Sequence, residues 1–312
     1  MADWSINLKI DKIIASIMLL SLTACSAEKT QYSAEENLVS VSDANSIENI
    51  ENFGDEISSN FSESETTSKD IPETIQTGLV REQILNGTEG EIHYSYFLPE
   101  SYDGSCKFPM MVTIPGYDRM WFGEDSSGNN IDWNGFRTWA ELDEEMIVIS
   151  AQLTDWHEKS ARQANELAQY FVDNFAVNEN RVYAAGYSAG GETMSQAVAL
   201  RPELYAAYLH GASQWDGAFA PIAENGVAVY IYMAENDEYY GSQKARDAYA
   251  DLYNAYRENG FSDEEIGKKL RLEIPDNEYF NSRGIYNYHG GGNIVFDDKS
   301  VLNWIISHKK QE

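Results

Sequence analysis

The fold of this chain is decided by one stretch, Arg181–Gly191, which reads RVYAAGYSAGG. Its first half is an apolar run that ends at Gly186, a pattern typical of a buried β-strand. The residues that follow it, Glu192–Leu200, form a helical segment. The sequence therefore predicts a strand that enters a glycine-rich turn and leaves it as a helix, with Ser188 at the turn.

The turn has the form G-x-S-x-G, from Gly186 to Gly190. This motif alone is common by chance, but a strand before it and a helix after it are the setting of a nucleophile elbow. Larger residues in place of the two glycines would clash with the neighbouring strand and helix. Ser188 is therefore the candidate nucleophile, and the helix N-terminus beside it favours developing negative charge. The alternative is a glycine-rich turn that carries an ordinary exposed serine.

Strand and helix patterns alternate along the chain from about residue 76. Further strands are predicted at Ile92–Leu98, Met110–Ile114, Met146–Ser150, Tyr205–Leu209 and Val227–Met233, and further helices at Glu158–Phe175, Ser242–Glu258 and Ser300–Ser307. Short apolar strands separated by helices indicate an α/β class with a mostly parallel sheet and helices on both faces.

Through the residues Arg181–Gly191, the segment 76–312 resembles the α/β-hydrolase superfamily. Within it, the segment is similar to the esterase group that includes polyhydroxyalkanoate depolymerase-like and feruloyl-esterase-like enzymes, also classed with prolyl-oligopeptidase-type hydrolases. This resemblance implies an α/β-hydrolase catalytic domain over 76–312. It also implies a triad in the chain order serine, acid, histidine.

The acid implied by this order follows the next-but-one strand after the elbow, which is Val227–Met233. Asp237 is the preferred acid, because the resembling enzymes end this strand in a similar turn. Glu235 and Glu238 stay open as alternatives, as does a loop carboxylate without any role.

Two histidines follow Asp237 in the chain, His289 and His308. His308 lies in the last helix beside two lysines and is expected to be solvated. His289 lies in a loop that reads YHGGG, where the superfamily carries its histidine, and the glycines would let the loop approach Ser188 closely. His289 is therefore the predicted base, with Asp237 holding its tautomer.

Two backbone N–H groups are expected to bind the oxyanion of the reaction. Ala189, directly after the nucleophile, supplies one. The other is assigned to Tyr117, in the loop after Met110–Ile114, where Gly116 marks a close approach. The H-G-G-G motif of lipases is absent from this sequence.

Aromatic side chains follow the predicted strands, where ligands of open α/β sheets bind. They are Trp121, Phe122, Trp133, Trp156, Trp215, Tyr239 and Tyr240. The residues predicted to border the substrate are Gly116, Trp121, Trp156, Trp215 and Tyr239. For each aromatic residue the alternative is ordinary packing of its loop, and His210 is interpreted as structural rather than as part of the site.

The first 25 residues predict a bacterial lipoprotein signal, since a short apolar run leads to Leu22-Thr23-Ala24-Cys25. Cys25 is the predicted lipidation site. Residues 26–75 are rich in Ser, Glu, Asn and Thr and predict a disordered acidic linker. The expected location is the extracellular face of a bacterial membrane, with the lipid anchor as the contact with the membrane; secretion is the alternative.

The formal net charge of −29 disfavours nucleic-acid binding. No cysteine or histidine spacing suggests a metal site, and no cofactor is expected. The expected partner is a small-molecule or polysaccharide-borne ester.

The predicted activity is hydrolysis of short-chain or aryl esters through an acyl-enzyme. A serine peptidase of the same fold and a non-catalytic surface binding protein are the alternatives. The 17 residues between Leu209 and Val227 are too few for a multi-helix lid, so an open cleft is expected.

Overall fold

The computed structural model describes residues 76–120 and 129–310. The predicted signal over 1–25 with Cys25, the predicted linker over 26–75, and Trp121 and Phe122 lie outside these residues. Among the described residues, no helix is long and apolar enough to cross a membrane.

Eight strands form one sheet in the order β1-β2-β4-β3-β5-β6-β7-β8. The strands are β1 (Gly78–Gly87), β2 (Gly90–Leu98), β3 (Phe108–Ile114), β4 (Ile147–Gln152), β5 (Val177–Tyr187), β6 (Ala207–Gly211), β7 (Ala228–Tyr232) and β8 (Leu270–Glu273). β2 pairs antiparallel with β1 and β4, and all other pairs are parallel. The predicted, mostly parallel sheet is therefore confirmed.

Helices connect most of the parallel strands. They are α1 (Tyr117–Met120), α2 (Asn134–Ala140), α3 (Glu158–Asn174), α4 (Ala189–Leu200), α5 (Ala220–Glu224), α6 (Ser242–Glu258), α7 (Asp263–Lys269), α8 (Asn277–Asn281), α9 (Tyr288–Gly291) and α10 (Lys299–Ile306). Short 3₁₀ turns lie at Asn129–Ile131, Pro202–Leu204 and Gly292–Asp297.

The central strands are buried on both faces, which is why they appear in the sequence as continuous apolar runs. Every residue of β4 and of β6 is buried. Trp139, Tyr183, Phe171 and Phe296 are among the largest fully buried side chains of the core. Parallel packing of β3, β5, β6 and β7 brings their carboxyl ends to the same edge of the sheet, and the candidate site forms there.

Two strands were not predicted, β1 and β8, and both lie at the edges of the sheet. β1 has one buried residue, Val80, and the rest are exposed or partly exposed; it contains an irregularity between Val80 and Gln83. β8 has only four residues. An edge strand pairs on one side and exposes many side chains, so it lacks the apolar run that marks a central strand.

Candidate active site

The strand–turn–helix around Ser188 is present as predicted from its sequence. β5 ends at Tyr187, and α4 begins at Ala189. Ser188 has φ 53° and ψ −126°, a conformation that a non-glycine residue rarely adopts. Such strain costs about 1–3 kcal/mol and persists where the surrounding structure enforces it.

The surroundings of the turn explain its two glycines. A Cβ atom on Gly190 would lie 2.3 Å from the carbonyl oxygens of Ile114 and Pro115. A Cβ atom on Gly186 would lie 2.5 Å from the carbonyl oxygen of Gly190. These neighbours are backbone atoms that cannot rotate away. A side chain at Gly190 would push the turn away from the end of β3, and a side chain at Gly186 would push it away from the start of α4.

Ser188, His289 and Asp237 form one chain of hydrogen bonds. Oγ of Ser188 lies 2.9 Å from Nε2 of His289, and Nδ1 of His289 lies 2.8 Å from Oδ2 of Asp237. Because an ionised carboxylate only accepts hydrogen bonds, the ring proton belongs on Nδ1. Nε2 is then free to accept the proton of the Ser188 hydroxyl.

The environment of Asp237 keeps its carboxyl group ionised. Burial alone would raise its pKa, but the hydrogen bond from His289 and those from the backbone N–H groups of Tyr240 and Tyr239 lower the pKa below its ordinary value. Both N–H groups donate to Oδ1 at 2.9 Å, which leaves Oδ2 for His289. The side chain of Asp237 is fully buried, whereas 12% of the His289 side chain is exposed.

The other two carboxylates after β7 are placed differently. Glu235 is exposed. Glu238 accepts hydrogen bonds from the backbone N–H groups of Tyr288 and His289, at 2.9 and 2.7 Å. Glu238 therefore supports the segment that carries His289, and Asp237 alone of the three contacts the imidazole.

The segment that carries His289 is not the loop that its glycines suggested. It is the short helix α9, whose first turn is capped by the side chain of Asn287. A Cβ atom on Gly292 would lie 2.6 Å from Cβ of Ala212, at the end of β6. The glycine after α9 therefore permits close packing against the strand next to the elbow.

The expectation that His308 is solvated was wrong. His308 is half-buried and packs edge-on against Trp304, with ring centroids 4.3 Å apart. Burial, together with the charges of Lys269 and Arg271, lowers its pKa to about 4. The sequence neighbours of His308 are lysines, but its ring lies against Trp304 of α10.

His210 lies in β6 and is structural, as interpreted from the sequence. It is buried, and its ring nitrogens lie 2.7 Å from the Tyr208 hydroxyl and 3.0 Å from the Ser213 carbonyl oxygen. Burial lowers its pKa to about 4. The Ser213 hydroxyl in turn donates to the carbonyl oxygen of Ser188 at 2.7 Å, so this buried network stabilises the backbone of the elbow.

Tyr187, inside the G-x-S-x-G motif, is a contact that the sequence reasoning missed. Its hydroxyl donates to the carbonyl oxygen of His289 at 2.8 Å, and its ring stacks on the imidazole at 5.6 Å. The x position before Ser188 in the motif thus contacts the proposed base.

Gly116, which precedes the predicted oxyanion donor Tyr117, lies beside Ser188. A Cβ atom on Gly116 would lie 3.5 Å from Cβ of Ser188. Tyr117 is the first residue of α1 and Ala189 the first of α4. Binding of an oxyanion by the N–H groups of Tyr117 and Ala189 stays a prediction.

The aromatic residues predicted to border the substrate separate into two groups. Tyr239 is 80% exposed with its ring 4.6 Å from the imidazole of His289, and Tyr117 contacts Trp156 edge-on at 5.8 Å. Trp215 instead packs among Phe219, Tyr208 and His210. Trp133 is buried against Phe296 and belongs to the core.

One family model matches part of the chain around Ser188. Residues 150–260 match the family model described as the prolyl oligopeptidase family, a range that includes Ser188 and Asp237 and ends before His289. No curated protein sequence matches the chain significantly.

The chain is also similar in structure to solved esterases. A thermostable esterase has 18% identity and a TM-score of 0.60, with 73% of this chain and 62% of that chain covered. A serine-to-alanine mutant of the feruloyl esterase module from Clostridium thermocellum, complexed with sinapinate, has 13% identity and a TM-score of 0.51, with 75% and 89% covered. This chain therefore spans less than two thirds of the length of the thermostable esterase.

The chain has the α/β-hydrolase fold. The prolyl oligopeptidase match, together with a serine held at an elbow, supports a serine hydrolase. Among residues 76–120 and 129–310, no group of His, Cys, Asp and Glu side chains could hold a metal ion.

Proposed function

We propose that this protein is a carboxylic-ester hydrolase that forms an acyl-enzyme on Ser188. The observation that carries the proposal is the hydrogen-bonded chain from Ser188 through His289 to Asp237. A serine hydroxyl is a weak nucleophile by itself, and an adjacent base that is oriented by a carboxylate is the arrangement that activates it.

In the proposed mechanism, Oγ of Ser188 attacks the acyl carbon while Nε2 of His289 takes the hydroxyl proton. Asp237 stabilises the imidazolium, and the N–H groups of Tyr117 and Ala189 bind the oxyanion. His289 then protonates the departing alcohol, which leaves an acyl-serine ester. Water, deprotonated by His289, attacks this ester and releases the acid.

Short-chain or aryl acyl groups are the proposed substrates. Only α5, with five residues, lies between β6 and β7 among the described elements, and no multi-helix lid is inserted there. The exposed Tyr239 ring beside His289, and the Tyr117–Trp156 pair, offer aromatic faces to an aryl or sugar-bearing group. The feruloyl esterase module with sinapinate is an enzyme of the same fold whose ligand is of this kind.

The proposed location is the outer face of a bacterial membrane, through lipid on Cys25, with 26–75 as the tether. The support is the signal-like sequence before Cys25. No nucleic acid, metal or cofactor takes part in the proposed reaction.

The second candidate is a serine peptidase of the same fold, which the prolyl oligopeptidase match favours. The same three side chains serve amide hydrolysis. The two candidates differ in the leaving group that is accepted, so a substrate panel separates them.

The test compares wild-type protein with Ser188→Ala on p-nitrophenyl esters of two to twelve acyl carbons, methyl ferulate, and aminoacyl p-nitroanilides. We expect turnover of acetyl, butyryl or feruloyl esters to exceed that of long-chain esters and anilides. Ser188→Ala should lose at least about a thousandfold in kcat. Ser307→Ala, an exposed serine on the distant α10 side, is the control and should keep full activity.

A fluorophosphonate should label wild-type protein and not the Ser188→Ala variant. Retention of more than about a tenth of the activity by Ser188→Ala would refute the nucleophile assignment. Faster anilide than ester hydrolysis would favour the peptidase.

A further inference from the structure

Tyr240 contacts each part of the proposed triad although it belongs to none. Its backbone N–H donates to Oδ1 of Asp237 at 2.9 Å, and its ring packs edge-on against the imidazole of His289 at 5.5 Å. Its hydroxyl donates to Oε1 of Glu192 at 2.5 Å and interacts with Ser188. Tyr240 is therefore held at two points, because its backbone N–H bonds to Asp237 and its hydroxyl bonds to Glu192.

Glu192 lies one helical turn after the nucleophile. It is in α4, and its backbone N–H donates to the carbonyl oxygen of Ser188 at 3.1 Å. Residues four apart share one face of a helix, so the side chain of Glu192 lies on the side of Ser188. Glu192 is only 6% exposed. Its side chain hydrogen-bonds to the phenol of Tyr240 and to the carboxyl group of Asp216, neither of which is positively charged.

A carboxylate buried in this way is costly unless it is well paired. Burial raises the pKa of Glu192 above its ordinary value, the hydrogen bond from Tyr240 acts in the opposite direction, and the carboxylate of Asp216 adds to the effect of burial. His157, before α3, also faces Glu192. An apolar residue could fill the same space without the cost, so the pair calls for an explanation beyond packing.

We propose that Glu192 and Tyr240 are a positioning pair that holds the imidazole of His289 between Ser188 and Asp237. This inference rests on the proposed function. The imidazole can turn about its side-chain bonds, and the Tyr240 ring closes one of its sides while the Tyr187 ring covers another. The bond to Glu192 keeps the Tyr240 ring in place by tying the acid loop to the nucleophile helix.

A misplacement of about 1 Å in a reacting group can cost on the order of a hundredfold in rate. Removal of the pair should therefore lower kcat, whereas KM, which depends on the open face of the cleft, should change little. The two residues act through one hydrogen bond, so their effects should not add.

The experiment measures kcat and KM of Tyr240→Phe, Glu192→Gln and the double variant on a short-chain p-nitrophenyl ester. We expect each variant to lose about tenfold to a hundredfold in kcat, with KM within about twofold, and the double variant to match the worse single variant. In wild-type protein, the proton NMR signal of the His289 Nδ1 hydrogen should be sharp and downfield. It should broaden or shift in the variants.

The chain offers a matched control, because Tyr230 in β7 donates a similar bond to Glu273 in β8 at 2.6 Å. Tyr230→Phe and Glu273→Gln should leave kcat and the His289 proton signal unchanged. Melting temperatures identify any variant that fails to fold, and Glu192→Gln, which keeps the size of the side chain, is the second route if Tyr240→Phe unfolds.

The inference is overturned if folded Tyr240→Phe and Glu192→Gln keep wild-type kcat, or if their losses add in the double variant. Failure of the proposed function would be seen separately, as activity that survives Ser188→Ala. A loss of kcat equal to that of the Tyr230 and Glu273 controls would also overturn it.

Discussion

At the scale of single residues, this domain combines strain at Ser188 with buried groups that hold it. The N–H of Ser188 donates to the carbonyl oxygen of Gly211 at 3.0 Å, and its own carbonyl oxygen accepts from Gly191 and from Ser213, both at 2.7 Å. Four hydrogen bonds, counting that from Glu192, thus fix the backbone of one strained residue. The proposed nucleophile is therefore positioned before any substrate binds.

The lowered pKa of His308 predicts how stability depends on pH. The unfolded chain binds a proton near the ordinary pKa of histidine, about 6.5, whereas the native state does so only near 4. The contribution of His308 to stability is therefore complete above about pH 6.5 and is lost as the pH falls toward 4. His210 acts in the same direction.

His308→Phe should keep the ring against Trp304 and remove the titration. Between pH 7 and pH 5, the melting temperature of wild type should fall by about 2–4 °C more than that of this variant. Lys309→Gln, at the exposed position next to His308, is the control, and its melting temperature should follow that of wild type. Parallel melting curves for wild type and His308→Phe would show that the ring is protonated normally in the native state.

At the scale of elements, the site depends on contact between β3, β5 and α4. The elbow lies where the helix leaves the sheet, and its glycines allow backbone to meet backbone there. Hydrophobic burial favours contact between these elements, but the contact also requires glycine at the elbow. A Cβ atom at either glycine position would hold the elements apart.

Gly190→Ala should therefore destabilise the domain by about 1–3 kcal/mol and lower activity, since its Cβ atom would lie 2.3 Å from two carbonyl oxygens. Gly267→Ala, in the exposed part of α7 with no atom near its Cβ position, is the matched control. It should be neutral or stabilising by up to about 1 kcal/mol.

Urea unfolding of both variants measures these changes. Equal stability of Gly190→Ala and Gly267→Ala would mean that β3 and α4 can move apart at little cost.

The elements themselves could be predicted to different degrees. The bounds of α6 agree with the predicted helix, because its apolar face repeats along 17 residues. β1 and β8 escaped prediction because edge strands are only partly buried. α9 was not predicted because four residues with two glycines carry no helical signal. The Asn287 cap and the hydrogen bonds that the backbone N–H groups of α9 donate to Glu238 hold it.

At the scale of the whole molecule, the charge is strongly negative, at −29 for the chain. Around the site, the carboxylates of Asp118, Glu238 and Asp237 raise the pKa of Tyr187 beyond the effect of burial. Such a field repels anions, and the effect weakens as salt screens it.

We therefore expect an ester with a terminal carboxylate on its acyl chain to be hydrolysed more slowly than a neutral ester of the same length. The ratio of kcat/KM for p-nitrophenyl butyrate to that for p-nitrophenyl hydrogen succinate should fall as salt rises from about 0.01 to 1 M. A ratio that does not respond to salt would assign the discrimination to contacts instead of charge.

The sequence by itself determined the class of fold and the position of the nucleophile candidate. Both depend on local patterns: apolar runs with strand or helix spacing, and glycines around Ser188 that only a tight turn needs. The order serine, acid, histidine, which the resemblance to α/β-hydrolases implies, further limited the base to His289 or His308. These inferences succeed because neighbouring residues alone decide them.

Only the tertiary structure decided which of the remaining side chains meet. His289 lies 101 residues after Ser188 and 52 after Asp237, and the sheet order brings the three together. The tertiary structure also places Asp237, and not Glu235 or Glu238, against the His289 imidazole. It places the ring of His308 against Trp304. Contacts between distant segments depend on packing directions that no local pattern encodes, because a carboxylate in a loop has the same sequence signal wherever it points.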